Sequence, residues 1–440
     1  MKSALSLLLG LICTLAPAGA SADPPKRDVP DYDGRGGERT TPADAALWVP
    51  RVVLFPLYVV SEYVVRRPLG AMIAGAERAR VPQALYGLFV LTSDQKVGWV
   101  PTFLVDFGFR PSAGVYFFWD DAFARGNHVR VQAATWGVDW LAGSFTDRIE
   151  LGPDRTLSLR VAGIRRPDYE YYGEGADSLE RNLSRYAADF LEARATFGFG
   201  LGGASALTAH AGARKWRFYE PDDWGPSTRT VAERGGFALP NAFDGGYTAG
   251  ASGLALRLDS RSPRPMSQSG ARLDLSAEQG SAPDAKRGWL RYGAIAGGFL
   301  DLNRRARVVS LSVATLFSDP LSDAAVPFTE LVQLGGAEPM RGFVPGRLFG
   351  RSAAVATVGY HWPVWIWLDG TIQAAVGNVF GAHLNDFELP RTRFSGAVGV
   401  KTTGFSDNPV EMLLGFGTET FEHGARVNSL RAVFGTSRGF

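Results

Sequence analysis

Residues 156–163 read TLSLRVAG, and apolar and polar side chains alternate along them. Successive side chains of a β-strand point to opposite faces, so alternation predicts a strand with two unlike faces. The apolar face carries Leu157, Leu159 and Val161. The other face carries Ser158, Arg160 and Ala162. The segment is typical of a strand that lies between hydrocarbon and a polar interior.

The same alternation recurs over most of the chain, as in LALRLD at 254–259 and RLDLSAE at 272–278. Segments of about ten residues with turn residues between them are typical of outer-membrane strands. We predict sixteen strands, at 98–109, 112–121, 127–137, 140–152, 155–165, 187–201, 205–218, 248–260, 269–280, 288–300, 306–318, 353–363, 370–380, 393–402, 410–418 and 428–440.

An even number of antiparallel strands can close into a barrel, and closure removes the sheet edges that lipid cannot satisfy. We therefore expect an all-β, closed antiparallel transmembrane barrel over 97–440. A lumen of this size must hold water or a folded-in segment. The longest connections, about 219–247 and 319–352, are expected to be external or lumenal loops. The main alternative is a soluble sandwich with its apolar face turned inward. A leader, many Tyr and Trp near segment ends, and a last alternating segment ending on Phe440 count against it.

The amino-terminal residues have the features of a secretory leader. Residues 1–22 carry Lys2, an apolar run and the small-residue site Ala20-Ser21-Ala22. The alternative is a membrane anchor, for which the run is too short. Cys13 lies in this run and is the single cysteine of the sequence, so we expect an exported chain without disulfide or thiolate chemistry.

Two further segments separate the leader from the barrel. Residues 23–46 are rich in charge, Gly and Pro and predict a disordered linker. Residues 47–96 predict a short helical segment and lead-in, with Pro56 where a helix can start and Pro68 where it stops. Proline and charge interrupt every window long enough to span a bilayer, which favours a buried or interfacial helix.

Composition limits the function. The 440 residues have a formal net charge of +2, with 20% charged and 12% aromatic residues. That balance lacks the basic face that nucleic-acid binding needs, so no nucleic-acid partner is expected. The five histidines stand at no ligand spacing and no pair of acids stands out for catalysis, so we expect no metal, no cofactor and no enzyme.

A second stretch, LVQLGGAEPMRGFVPGRLFGRS at 331–352, resembles the BamA/TamA outer-membrane assembly family, also called the bacterial surface antigen family. The hallmark of that family is an Arg-Gly-aromatic turn in the sixth external loop. The turn here is Arg341, Gly342 and Phe343, preceded by Gly335 and Gly336.

Other stretches carry the same resemblance. Residues 171–175 (YYGEG) are similar to an aromatic-Gly-x-Gly stretch of the family, and Asp259-Ser260-Arg261 with Gly270 is similar to a strand end. The last strand resembles the carboxy-terminal signal by which such barrels are assembled. Its members here are Phe434, Gly435 and Phe440.

The resemblance implies a loop that enters the lumen and is held there through its arginine. A guanidinium can make a two-point bond to a carboxylate of the inner wall. The acids that the family places there are missing, because Gly359 and Ala375 stand at those positions. Candidate replacements for binding Arg341 are Asp259, Asp274, Glu278 and Asp369.

The resemblance also implies a bacterial outer-membrane location and a role in inserting or moving proteins or lipids. The expected partners are outer-membrane lipids and other outer-membrane proteins. Residues 23–96 lack the alternating strands of a POTRA module, so we expect a short member without POTRA domains. A seam between the first and last strands, weakened by Gly435 and Gly439, is expected to open laterally. The alternatives are a passive pore or structural surface antigen, and a homo-oligomer formed through the amino-terminal helix.

Overall fold

The computed structural model describes Phe55, Tyr63 and residues 89–221, 225–261, 269–302, 306–336, 339–365, 368–403 and 409–436. The predicted leader at 1–22, the linker at 23–46 and most of the helical segment at 47–96 lie outside these residues. So does Phe440. Those four predictions therefore remain predictions.

Sixteen strands close into one antiparallel barrel, as the alternation predicts. Each strand pairs with its neighbours along the chain, and the first pairs with the last. The barrel strands are β1 Val97–Asp106, β2 Ser112–Asp120, β3 Asn127–Thr135, β4 Leu141–Gly152, β5 Arg155–Tyr171, β6 Ser184–Gly200, β7 Ala206–Tyr219, β8 Tyr247–Asp259, β9 Gly270–Ala282, β10 Arg287–Asp301, β11 Val308–Pro320, β14 Ser352–Trp365, β15 Leu368–Phe380, β16 Arg393–Thr402, β17 Val410–Thr420 and β18 Val427–Thr436.

Two short strands, β12 Val332–Leu334 and β13 Leu348–Gly350, form a separate hairpin between β11 and β14. One helix, α1 Thr228–Glu233, lies between β7 and β8. Single 3-10 turns occupy Glu180–Asn182, Pro283–Ala285, Phe328–Glu330, Ala382–Leu384, Leu389–Arg391 and Phe421–His423. Among the residues that the structure describes, no helix has the length and apolar character that crossing a membrane would need.

Apolar side chains point outward. Leu159, Val161, Leu254 and Leu275 are 39–58% exposed, although they lie in the middle of paired strands. The polar residues between them face the lumen, where they bind one another. Glu278, for example, accepts hydrogen bonds from His210 and Arg214 at 2.9 and 2.7 Å. This inversion of the soluble pattern confirms a barrel that faces lipid and excludes the sandwich alternative.

Predicted and observed strand bounds agree to within a few residues except at β5. We expected it to end near 165, but it continues to Tyr171 because the register shifts between Arg166 and Tyr169. Pro167 lies within that irregularity, where the strand need not donate a ladder hydrogen bond.

The connections differ between the two ends of the barrel. One end has short turns, and the other, the loop end, carries both long connections, 220–246 and 321–351. A buried aromatic cluster fills the barrel beneath the loop end, with Tyr171, Tyr186, Trp289, Phe328 and Phe349 among its members. The second long connection continues from this cluster along the inner wall, where it packs against β14 and β15.

Candidate functional site

The site is the lumenal loop 321–351, which returns on itself before it reaches the wall. Gly335 and Gly336 have φ of 106° and 77°, in the left-handed region that glycine adopts without strain. The backbone N–H of Gly336 then donates to the carbonyl of Phe343 at 2.8 Å. The predicted glycine pair therefore makes the reversal that presents residues 340–343 to the wall.

Arg341 is held by an acid that the sequence analysis did not name. Its guanidinium contacts the carboxylate of Glu411, the second residue of β17, and both side chains are largely buried. A charge-assisted bond of this kind fixes the loop to the wall. The loop lies against β16, β17 and β18, so an acid on the inner face of β17 is within reach.

The four acids suggested for this role lie elsewhere, and the suggestion is corrected. Asp259, Asp274 and Glu278 each bind an arginine of the barrel wall at 2.7–2.8 Å. Asp369 is the second residue of β15, in register with a lysine of β16. Asp259, Asp274 and Glu278 lie on β8 and β9, and Asp369 lies at the start of β15, whereas Arg341 contacts β17. The predicted type of partner for Arg341 is correct, but the predicted residues are wrong.

The next two residues of the motif fit a gap left by glycines on β17. The Cα of Gly342 lies 2.8 Å from where a Cβ of Gly415 would be, and the ring of Phe343 fills the space where a Cβ of Gly417 would be. The N–H of Gly342 donates to the hydroxyl of Ser395 on β16 at 2.9 Å. Phe343 is fully buried. We call Gly415 and Gly417 the glycine seat.

Arg431 of β18 joins this loop to the first strand. Its guanidinium donates to the carboxylate of Asp106 at 3.0 Å, and to the backbone carbonyls of Arg341, at 3.1 Å, and Gly336. Arg431 and Asp106 are 8% exposed. The side chain of Arg431 therefore contacts β1 across the seam. It also contacts both ends of the loop reversal, at Gly336 and Arg341.

Further along, the loop is fixed to a second external connection through Arg347. This guanidinium is 1% exposed and donates to the hydroxyl and carbonyl of Ser178, at 2.9 and 3.0 Å. Burial, with a smaller contribution from nearby Arg393, lowers the pKa of Arg347 to about 10, so it stays charged at neutral pH. Arg393 donates to the same Ser178 carbonyl at 2.9 Å.

The aromatic-glycine stretch at 171–175 meets the same loop. The N–H of Gly175 donates to the carbonyl of Phe349 at 2.8 Å, and the rings of Tyr171 and Phe349 lie 5.2 Å apart. The two family-like stretches, at 171–175 and 331–352, are far apart in sequence but are thus neighbours in space.

The seam between β1 and β18 joins the first strand to the last. Three residue pairs are in register there among the described residues, against eight between β1 and β2 and nine between β17 and β18. Gly435, with φ of 148°, leaves room for the β1 backbone, because a Cβ there would overlap the carbonyl of Phe103. The rings of Phe103 and Phe434 pack across the seam, 4.9 Å apart. Gly435 therefore permits close approach, and Gly439 lies outside the described residues.

Near its start, β1 also pairs with the segment that precedes it. The N–H of Leu91 donates to the carbonyl of Val97 at 2.8 Å, and Val90 bridges Gly98. This is the edge opposite β2, because Lys96 presents its carbonyl to Asp120 of β2.

Glu411, the glycine seat and Arg431 are among the contributors to the site that the sequence did not lead us to predict. The signal for Glu411 and the glycine seat was present in β17, where Glu411, Leu413, Gly415 and Gly417 occupy one face at every second position. An acid followed by small residues on a lumenal face indicates a wall that another segment approaches closely. Among the described residues, no group of His, Cys, Asp and Glu is arranged to hold a metal ion.

A closed sixteen-stranded barrel with apolar side chains outside and a loop bound inside defines a bacterial outer-membrane β-barrel protein. A family model described as the Omp85 superfamily domain matches residues 122–400, which is more than half of the chain. The chain belongs to the Omp85 superfamily, which confirms the resemblance to the BamA/TamA family and the expected outer-membrane location.

Solved structures share the fold. BamA of Haemophilus ducreyi lacking POTRA domains 1–3 is 12% identical, with a TM-score of 0.53; the match covers 77% of this chain and 70% of that one. CdiB of Escherichia coli is 11% identical, with a TM-score of 0.50, over 76% of this chain and 62% of that one. At these identities the likeness concerns the fold alone. Comparison with the curated proteins gave no match.

Proposed function

We propose that this barrel assists the insertion or movement of proteins or lipids in the outer membrane, by opening the seam between β1 and β18 toward the bilayer. It does so without a catalytic reaction of its own. Its partners are outer-membrane lipids and other outer-membrane proteins.

The observation that carries the proposal is the unequal pairing of the first strand. Among the described residues, which end at Thr436, β1 shares eight register pairs with β2 and three with β18. Opening a closed barrel exposes unpaired backbone groups to lipid, and each such group costs several kcal/mol. We infer that the barrel separates at the interface with the fewest pairs among the described residues, since opening there exposes the fewest backbone groups. The loop is bound to the three strands on one side of that interface.

A reversible lock across the seam tests the proposal. Val105 and Phe434 are in register between β1 and β18, and hydrogen-bonded antiparallel pairs have Cα atoms about 5.5 Å apart, within disulfide range. The Val105→Cys/Phe434→Cys variant, with Cys13 changed to Ser, is expressed in a strain that lacks the protein. Envelope proteins and lipids are profiled under oxidising and reducing conditions.

The matched control uses the neighbouring interface. Met412 of β17 is in register with the same Phe434, so Met412→Cys/Phe434→Cys locks an interface that the proposal keeps closed. We expect the oxidised seam lock to reproduce the profile of the deletion strain and reductant to reverse it, while the control stays normal. A normal profile with the oxidised seam lock would reject lateral opening.

The rival function is a passive pore or structural surface antigen, in which the loop is only a plug. Planar-bilayer conductance separates the two. Large steady currents that Arg341→Ala leaves unchanged favour the pore. A closed barrel that Arg341→Ala makes leaky favours a loop held through the contact of Arg341 with Glu411.

Assembly into homo-oligomers through the helix predicted near residues 56–67 is a separate proposal. It rests on the apolar character of that stretch, which has few polar positions. Cross-linking in membranes tests it with the full chain and with a variant that lacks 56–67. Identical monomer patterns for the two would reject it.

A further inference from the structure

We infer that Arg431 makes seam closure depend on loop docking, so that each stabilises the other. This deepens the proposed function by naming what holds the seam closed. The inference rests on the geometry of one guanidinium, carried by β18, that binds β1 and the loop at once.

The first step is that the N–H groups of Arg431 are divided between the first strand and the loop. Nε and one terminal nitrogen of Arg431 face the carboxylate of Asp106 on β1, at 3.0–3.4 Å. The other terminal nitrogen donates to backbone carbonyls of the loop, those of Gly336 and Arg341. A guanidinium is a rigid planar fork, so the two sets of bonds constrain one another.

The second step is burial. Arg431 and Asp106 are 8% exposed, which leaves little water to replace a lost partner. If the loop withdraws, one side of the guanidinium loses its acceptors. If β1 separates, the carboxylate is lost, and a buried charge without its partner is costly. Either change therefore weakens the site for the other element.

The third step is position. Arg431 lies on the last strand, and it approaches Asp106 diagonally, because Asp106 is in register with Val433. The bond thus reaches across the seam beside Asp106 and Val433, the last of the register pairs described there. The same residue is opposite Gly415 of the glycine seat on β17. Loop and seam meet at this side chain.

Coupling between two sites is reciprocal: whatever factor the loop contributes to seam closure, the seam contributes to loop docking. A change made at the seam must therefore be detectable at the loop. The same change in a barrel where Arg431 only stabilises the wall would leave the loop undisturbed.

The test measures loop exposure in the purified full chain in lipid vesicles. Met340 is fully buried beside the motif, so Met340→Cys, with Cys13→Ser, reports withdrawal of the loop through its rate of thiol modification. Asp106→Asn is added at the seam. We expect the rate to rise by a factor in the range of about 5 to 150, the usual range of such coupling.

Three further variants separate coupling from general loosening. Arg431→Gln is expected to raise the rate similarly, and Asp106→Asn/Arg431→Gln to add little beyond Arg431→Gln alone. Arg431→Lys, which keeps the charge without the fork, is expected to fall between the wild type and Arg431→Gln. Arg194→Gln is the control, since Arg194 binds Glu192 on another part of the wall at 2.7 Å.

An unchanged rate with Asp106→Asn in a folded barrel would overturn the inference, as would equal rises with Arg194→Gln. Folding is checked by the heat-dependent shift in electrophoretic mobility. If Arg431→Gln does not fold, Asp106→Asn decides alone, because it is nearly isosteric. The measurement needs no client, so failure here is distinct from failure of the seam-lock experiment in cells.

Discussion

Substitution of Gly417 in the glycine seat should displace the loop from the wall. Replacing Phe343, whose ring fills this space, by a smaller residue should suppress the effect. In Gly417→Ala, the new Cβ would overlap three ring atoms of Phe343, well inside the 3.4–4 Å of ordinary contact. Overpacking of this kind costs about 1–3 kcal/mol. Because 1.4 kcal/mol corresponds to a factor of ten in an equilibrium constant, the equilibrium constant for loop docking should fall about 5- to 150-fold.

The opposite change removes the ring. Phe343 is fully buried in a cluster with Leu334, Met340 and Leu348, so Phe343→Ala should cost about 3–5 kcal/mol of docking. In Phe343→Ala/Gly417→Ala, the Cβ of residue 417 enters space that the ring has left. The second substitution should then cost close to nothing, giving a coupling of about 1–3 kcal/mol.

The assay is thiol modification of Met340→Cys in vesicles, compared across the single and double variants. Gly143→Ala on β4 is the control, because the nearest atom to its Cβ would be 3.8 Å away. Additive effects in the double variant, or an effect of Gly143→Ala equal to that of Gly417→Ala, would refute the packing argument.

Three other predictions concern the buried charged groups and the lipid-facing and lumenal faces of the strands. Arg341→Ala should destabilise the folded barrel by about 3–5 kcal/mol in urea titrations, because it leaves Glu411 buried and unpaired. Changing both residues to Met should recover much of this loss. An equal loss of stability in the double variant would contradict the prediction. Leu275→Arg should cost about 2–4 kcal/mol of refolding free energy into vesicles, while Ser276→Arg, on the lumenal face, should cost far less; equal costs would mean that the faces are assigned wrongly. Ser178→Ala should cost about 1.5–3 kcal/mol, because its hydroxyl accepts from a buried guanidinium of the loop; no change in melting temperature would exclude a role in holding it.

The barrel could be predicted from the sequence because alternation is a local property. Alternation within residues 157–161 is enough to assign their two faces without knowledge of any other strand. The predicted bounds of β16, 393–402, are the observed ones. The loop motif was also local, since Gly335 and Gly336 supply a backbone conformation that the turn requires. Features that depend on a single segment could therefore be predicted from the sequence.

The contacts of the site were not local. Glu411 lies 70 residues from Arg341, and its reach depends on which strands the loop follows. Asp106 and Arg431 are 325 residues apart and meet only when the barrel closes. The long-range register that brings such pairs together is not encoded in any one strand, so candidate acids could be named by type and not by position.

The central claim is that the docked loop keeps the seam between β1 and β18 closed. Spin labels at Val115 on β2 and Met412 on β17 face outward on either side of the seam. Three strand spacings and an offset of about four residues along the strands separate their backbones by about 20 Å. Distance measurements in vesicles should give one short distance for the wild type, and a second, longer population for Gly417→Ala and for Arg431→Gln. A single unchanged distance in both variants would contradict the claim.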